Sequence, residues 1–181
     1  MKFFSRIMRA GLVCAVLSAA AAWAGLTADQ AYALEAKAGA GDRAALQTLL
    51  ADARQGNQHA QFGLAALYHV GWGVPQDYAQ EAQWLRQAAQ QGHAPAQFRL
   101  GLLYANGQGV PQNKAAAYAL FTQSIARDAS GDNPARRDRA SLVSGMTARE
   151  IEAGQALARK MSAAGHPLQA LDEYLGSSAG K

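Results

Sequence analysis

The side chains able to do chemistry are few, and their spacing argues against a catalytic centre. Four histidines, His59, His69, His93 and His166, are scattered along the chain. His59 and His69 stand ten residues apart, whereas a helical zinc pair needs two histidines four apart on one face. They read as exposed or cap-side histidines rather than metal ligands. Asp77 and Glu81 are one helical turn apart, which puts both carboxylates on one face. Asp77 opens a helical pattern, however, and an N-cap explains it better than a catalytic acid pair does. The loops Gly71-x-Gly73 and Gly107-x-Gly109 lack the preceding strand and the third glycine of a phosphate cradle. Ser124 and Ser141 sit in no nucleophile elbow. Cys14 is the only cysteine, and it falls in a segment expected to be removed. A disulfide, a thiolate metal site and a cysteine nucleophile are then all unexpected. The expectation is no catalytic residue, no metal and no cofactor.

What remains is binding, and the elements that would position it come from a duplication. Residues 60–80 read AQFGLAALYHVGWGVPQDYAQ and residues 96–116 read AQFRLGLLYANGQGVPQNKAA. The two agree at 12 of 21 positions with an offset of 36 residues. A fixed period in this range marks a stacked array whose single units cannot bury their apolar faces alone. Each unit reads helix, glycine-rich loop, helix. Ala60, Leu64, Leu67 and Tyr68 share a helical face. Val74-Pro75 and Val110-Pro111 are extended dipeptides after the loop. Asp77 and Asn113 are the expected caps of the second helices. Ala82, Leu85, Ala88 and Ala89 form the next buried stripe, with Trp84 beside it. Gly92 closes the first unit, and Pro95 suits the opening turn of the following helix.

These residues resemble the Sel-one-like repeat, a relative of the tetratricopeptide repeat. The first unit carries the resemblance in Leu64, Tyr68, Gly71, Gly73, Val74, Asp77, Ala82, Trp84, Ala88, Ala89 and Gly92, with Ala65 where a glycine is usual. The second carries it in Leu100, Gly101, Tyr104, Gly107, Gly109 and Val110. The resemblance implies an all-α fold, an α-α superhelix of antiparallel hairpins whose concave face docks a protein or peptide, with no active site. A cysteine-rich branch of such proteins is linked to β-lactams. A hydrolase of that kind is the alternative reading, and the absence of cysteine after residue 14 favours the scaffold.

The flanks complete the expected plan. Residues 1–24 carry Lys2, Arg6 and Arg9, then an apolar run, then Ala22-Trp23-Ala24. That is the pattern of a secretory leader cleaved after Ala24, and a periplasmic or secreted protein follows, with no stable membrane span once the leader is gone. Of the 17 basic residues three lie in this segment, leaving 14 against 13 acidic ones. The basic face expected of a nucleic-acid binder is missing. Residues 25–57 read as an atypical helix hairpin, 58–92 and 93–128 as the two repeats, 129–165 as a closing hairpin opened by a capping box at Thr147 and Glu150, and 166–181 as a short helix over the open end plus a frayed tail. First helices line the inner wall of such arrays. Gln61, His69, Trp72, Gln97, Arg99 and Asn106 are therefore the candidate contacts for a protein or peptide partner, a cell-wall component among the candidates. Trp72 stands out because the sister loop has Gln108 in its place.

Overall fold

The structure, a computed structural model, describes residues 25–178; the expected leader and its Cys14 lie outside the described residues. These residues form nine helices and no strand: α1 (Ala28–Gly39), α2 (Arg43–Arg54), α3 (Gln58–Val70), α4 (Tyr78–Gln90), α5 (Ala94–Asn106), α6 (Lys114–Arg127), α7 (Ala135–Ser144), α8 (Ala148–Ala163) and α9 (Pro167–Ser178). The chain is an all-α solenoid. First helices α1, α3 and α5 alternate with second helices α2, α4 and α6, and from α3 on each first helix packs on the second helices before and after it.

The boundaries follow from short polar residues and glycines. Asp42, Asn57, Asp77 and Asn113 each accept backbone N–H bonds as N-caps, satisfying donors that a helix start leaves open. The α3 and α5 helices stop on Gly71 and Gly107, both left-handed with φ of 80° and 71°. Tyr68 and Tyr104 then occupy matching places. Their carbonyls accept the N–H of Asp77 at 3.0 Å and of Asn113 at 2.8 Å, which closes the two loops identically. Their side chains differ, since Tyr104 is buried beside Arg86 while Tyr68 is only half-buried.

Alanine dominates the interior, as the composition implies, and lets helices approach closely. Two apolar clusters result, one from α1 to α3 and one from α3 to α9, and Trp84 packs against both. The missing glycine of the first repeat has a packing reason. Gly101 faces Phe121, whose ring lies 2.7 Å from where a Cβ would stand. One period earlier the same two places hold Ala65 and Leu85, both buried. The larger residue on one helix is matched by the smaller on its neighbour, the volume-conserving exchange that cores tolerate.

The C-terminal region departs from the expected hairpin. The α7 and α8 helices make almost no contact with each other, and both pack on α6. Composition explains this. In α7, ARRDRASLVS, only Ala135 is buried, so it has no apolar stripe to offer a partner. In α8 the stripe Gly154, Leu157, Ala158 and Met161 is buried instead against α6. The α9 helix lies along α8 and α4 rather than over the open end. Leu171 is fully buried there, the Leu168 N–H donates to Gln90 Oε1 at 2.9 Å, and Asp172 pairs with Arg86.

Candidate functional site

A groove of about 290 Å³ crosses the first helices near their N-terminal ends. The α1 helix contributes Asp29, Tyr32 and Glu35, α3 contributes His59 and Phe62, and α5 enters with His93 and Pro95. Tyr32 is 72% exposed, so no packing demand accounts for an aromatic ring at that place. Phe62 and His93 stack obliquely at 5.0 Å, and His59 meets the His93 ring edge-on at 5.2 Å.

His93 is the N-cap of α5. Its Nδ1 accepts the Ala96 N–H at 3.3 Å, which leaves Nε2 to carry the proton. Burial and the neighbouring His59 push its pKa from 6.5 down to about 4. The unfolded chain therefore binds a proton that the folded chain refuses between those values. Stability contributed by neutral His93 is full above pH 6.5 and is lost as pH falls toward 4. A His93→Asn variant keeps a capping side chain, as Asn57 does one unit earlier. It is expected to flatten that part of the acid branch of a thermal-melting profile; an unchanged branch would refute the assignment.

Behind the groove lies a polar node that the sequence did not disclose. Glu81 is completely buried, accepts Arg99 Nη2 at 3.2 Å, and lies 2.9 Å from His69 Nδ1. It ties the end of α3 to the middle of α5 through the first turn of α4. The expectation that Asp77 is a cap holds, and Glu81, its neighbour in sequence, is the carboxylate that matters to the fold. Within the described residues no three His, Cys, Asp or Glu side chains converge as a metal set, and no helix is long and apolar enough to cross a membrane.

The expected contact residues divide by burial. Arg99 and His69 are each about one-third exposed and both pair with Glu81. Asn106 is exposed at the last position of α5 and donates to Gln108 in the loop that follows. Trp72 is 63% exposed, with its ring edge resting over Gly39 at the end of α1. Gln61 and Gln97 are a correction, because both are buried at 2% and 1%. Their Nε2 groups donate to the carbonyls of Ala53 at 3.0 Å and Ala89 at 3.2 Å, the C-terminal ends of α2 and α4. Each carbonyl also takes the N–H of the glycine that closes its helix, Gly56 at 3.1 Å and Gly92 at 3.0 Å, and the long amide fills its second acceptor site, so at that step of each repeat it serves the junction, not the groove. Gln61→Ala is expected to cost about 1 kcal/mol in urea unfolding, the net worth of the buried hydrogen bond it removes, since the Ala53 carbonyl keeps the Gly56 N–H. No change in midpoint would contradict this role.

The groove residues Tyr32, Glu35, His59, Phe62, His93 and Pro95 were not among the expected contacts. Pro95 and the two histidines were legible only as single residues, and Tyr32 and Glu35 lie in the unit that departs from the repeat. A second cleft, about 510 Å³ and more open, runs between α6 and α8 and is lined by Tyr118, Thr122, Arg159 and Ser162. Arg139 from α7 stands over the Tyr118 ring at 5.6 Å and donates to Thr122.

Comparison with known proteins gives the same repeat. The Sel1 repeat model matches residues 58–93 and 94–128. No curated protein matches the sequence. Among solved structures, the chain is similar to c5321, a protective antigen present in uropathogenic Escherichia coli strains displaying an SLR fold, with 27% identity and a TM-score of 0.63. That match covers 73% of this chain and 28% of the antigen, so the chain spans little more than a quarter of its length. It is also similar to a Sel1 repeat protein from Oxalobacter formigenes, with 30% identity and a TM-score of 0.50, covering 54% of this chain and 71% of that one. Sel1 repeat proteins are in general scaffolds for protein–protein interaction. With two matched repeats in register with the observed hairpins, the chain belongs to the Sel1 repeat family.

Proposed function

We propose that this protein is an exported, non-catalytic interaction scaffold of the bacterial envelope, which holds a protein or peptide segment across its first helices. The observation that carries the reading is the groove itself, lined by an exposed Tyr32 on α1 and a half-buried Phe62 on α3. Aromatic residues set at the centre of a concave surface are the usual anchors of an interface. The leader pattern of residues 1–24 supports export, and N-terminal sequencing of the protein recovered from a bacterial periplasm is expected to begin at Gly25. Retention of residues 1–24 would refute that part. For the scaffold, the test is co-purification with mass spectrometry, comparing the unaltered protein with Tyr32→Ala. The specific partner is expected to bind the variant about tenfold more weakly or worse. A partner held equally by both would place the binding surface elsewhere. Purified protein is expected to leave nitrocefin intact, in keeping with a scaffold rather than a β-lactam hydrolase.

A further inference from the structure

We propose that the groove receives a cationic side chain, lysine or arginine from an extended partner segment, with Glu35 as its counter-ion and Tyr32 and Phe62 as its walls. The proposal rests on the scaffold reading and assigns the chemistry of what docks. Its basis is a carboxylate that the fold leaves unpaired. Glu35 sits in the middle of α1 and is half-buried, its Oε2 3.5 Å from the place a Cβ on Gly63 would occupy. Glycine at that point of α3 makes the room. One period later the same place holds Arg99, whose charge reaches Glu35, and that group is already bonded to Glu81. No hydrogen bond or ion pair within the described residues satisfies Glu35.

A half-buried charge without a partner is costly. Burial accordingly raises the Glu35 pKa above its usual value, with the Arg99 charge opposing. The other groups facing it do not supply a fixed cation. Asp29, on α1, is a second carboxylate in the groove. His93, on α5, is held neutral by its pKa of about 4. His59, on α3, is engaged ring against ring with His93. The balance at the groove is negative, and its walls are aromatic. An anionic segment would meet two carboxylates, and a purely apolar one would strip Glu35 of water without replacing it. A long cationic side chain does neither. Its apolar stem lies along the rings, and its head takes the carboxylate and the ring faces together. The size agrees, since 290 Å³ is at the lower edge of small-molecule sites and suits one long side chain.

The test uses the purified protein and four end-blocked probes, Ac-Ala-Ala-Xaa-Ala-Ala-amide, with Xaa as lysine, arginine, norleucine or glutamate. NMR shifts of the Tyr32 ring and the Glu35 carboxyl report binding. Lysine and arginine probes are expected to bind at least about tenfold tighter than norleucine, the difference typical of one desolvated charge pair, and glutamate is expected not to bind. Glu35→Gln should abolish the preference, and lowering the pH through the raised Glu35 pKa should weaken the lysine probe in the unaltered protein alone. Equal affinity for lysine and norleucine, a preference that survives Glu35→Gln, or no binding by any probe would each overturn the proposal. The wider scaffold reading is judged separately by partner capture and its dependence on Tyr32. Folding of the variant has its own readout. Because the carboxylate form is penalised in the fold, Glu35→Gln should melt higher than the unaltered protein at pH 7. That gain should vanish below the ordinary carboxyl pKa of 4.5, where both chains are neutral at this position.

Discussion

Gly109→Ala is expected to cost roughly 3–5 kcal/mol in chemical unfolding, the sum of a left-handed backbone strain and an overpacking penalty. Gly109 has φ of 67°, and a Cβ added there would land on the carbonyl of Tyr78, at the start of α4. The obstacle is backbone and cannot rotate away. Gly73 is its counterpart one unit earlier, with φ of 70°, and its Cβ would strike the carbonyl of Ala38 near the end of α1. The contact moves because the loop between α1 and α2 is shorter than the later ones. Each loop thus rests on the unit before it, and a side chain at this point would pry the units apart. Two other glycines grade the effect. Gly107 also has positive φ, at 71°, but its Cβ would meet only the Gln112 side chain first, at 3.2 Å. Gly107→Ala is expected to cost about 1 kcal/mol, the strain alone. Gly131 has nothing within 4 Å, and Gly131→Ala should be near neutral. Urea midpoints in the order 131, 107, 109 check the argument. Equal losses at 107 and 109 would show that only backbone strain matters.

Arg99→Ala is expected to cost about 2–3 kcal/mol, because it strands Glu81 in the interior with His69 as its remaining partner. A fully buried pair broken this way loses more, but Arg99 is one-third exposed and water already reaches its outer side, so the figure is reduced accordingly. The cost belongs to the orphaned carboxylate and not to the lost bond. Removing both charges with residues of similar volume, as in Glu81→Leu with Arg99→Met, is therefore expected to recover most of the stability. A double-mutant cycle reads this directly. Additive losses would mean that the two residues act independently and that the node does not join α3 to α5. Binding of a cationic side chain in the groove is expected to tighten with Arg99→Ala, since the guanidinium that partly neutralises Glu35 is removed. The double substitution, which restores stability without restoring that charge, separates the two effects.

Local signals made the scaffold legible in advance. The caps at Asp42, Asp77 and Asn113 and the stops at Gly71 and Gly107 are set by residues within a few positions of one another. The period of 36 residues repeats them, so the hairpins and their stacking could be read without coordinates. The candidate site was legible only in part. Arg99 was singled out as a residue of a first helix, and its charge proves to reach Glu35, which packs beside Gly63 at the matching place one unit earlier. Gln61 and Gln97 misled because a glutamine on a first helix looks solvent-facing until the preceding helix end is placed against it. Tyr32 and Glu35 stayed hidden because α1 lies outside the matched repeats and offers no sister position for comparison.

By itself, then, the amino-acid order determined the helical hairpins, their caps, their glycine loops and their stacking in register. Those features depend on backbone propensities and on contacts that recur at a constant spacing. Tertiary structure alone decided that Glu81 is dry, that α8 turns back on α6 instead of pairing with α7, and that α1, α3 and α5 bring one unpaired carboxylate into a groove lined by two aromatic rings. The physical reason is that a polar side chain's burial is a property of its neighbours. The residues that bury or strand a charge here come from different helices, 18 to 64 positions apart in the case of Glu81 with Arg99 and Glu35 with Arg99.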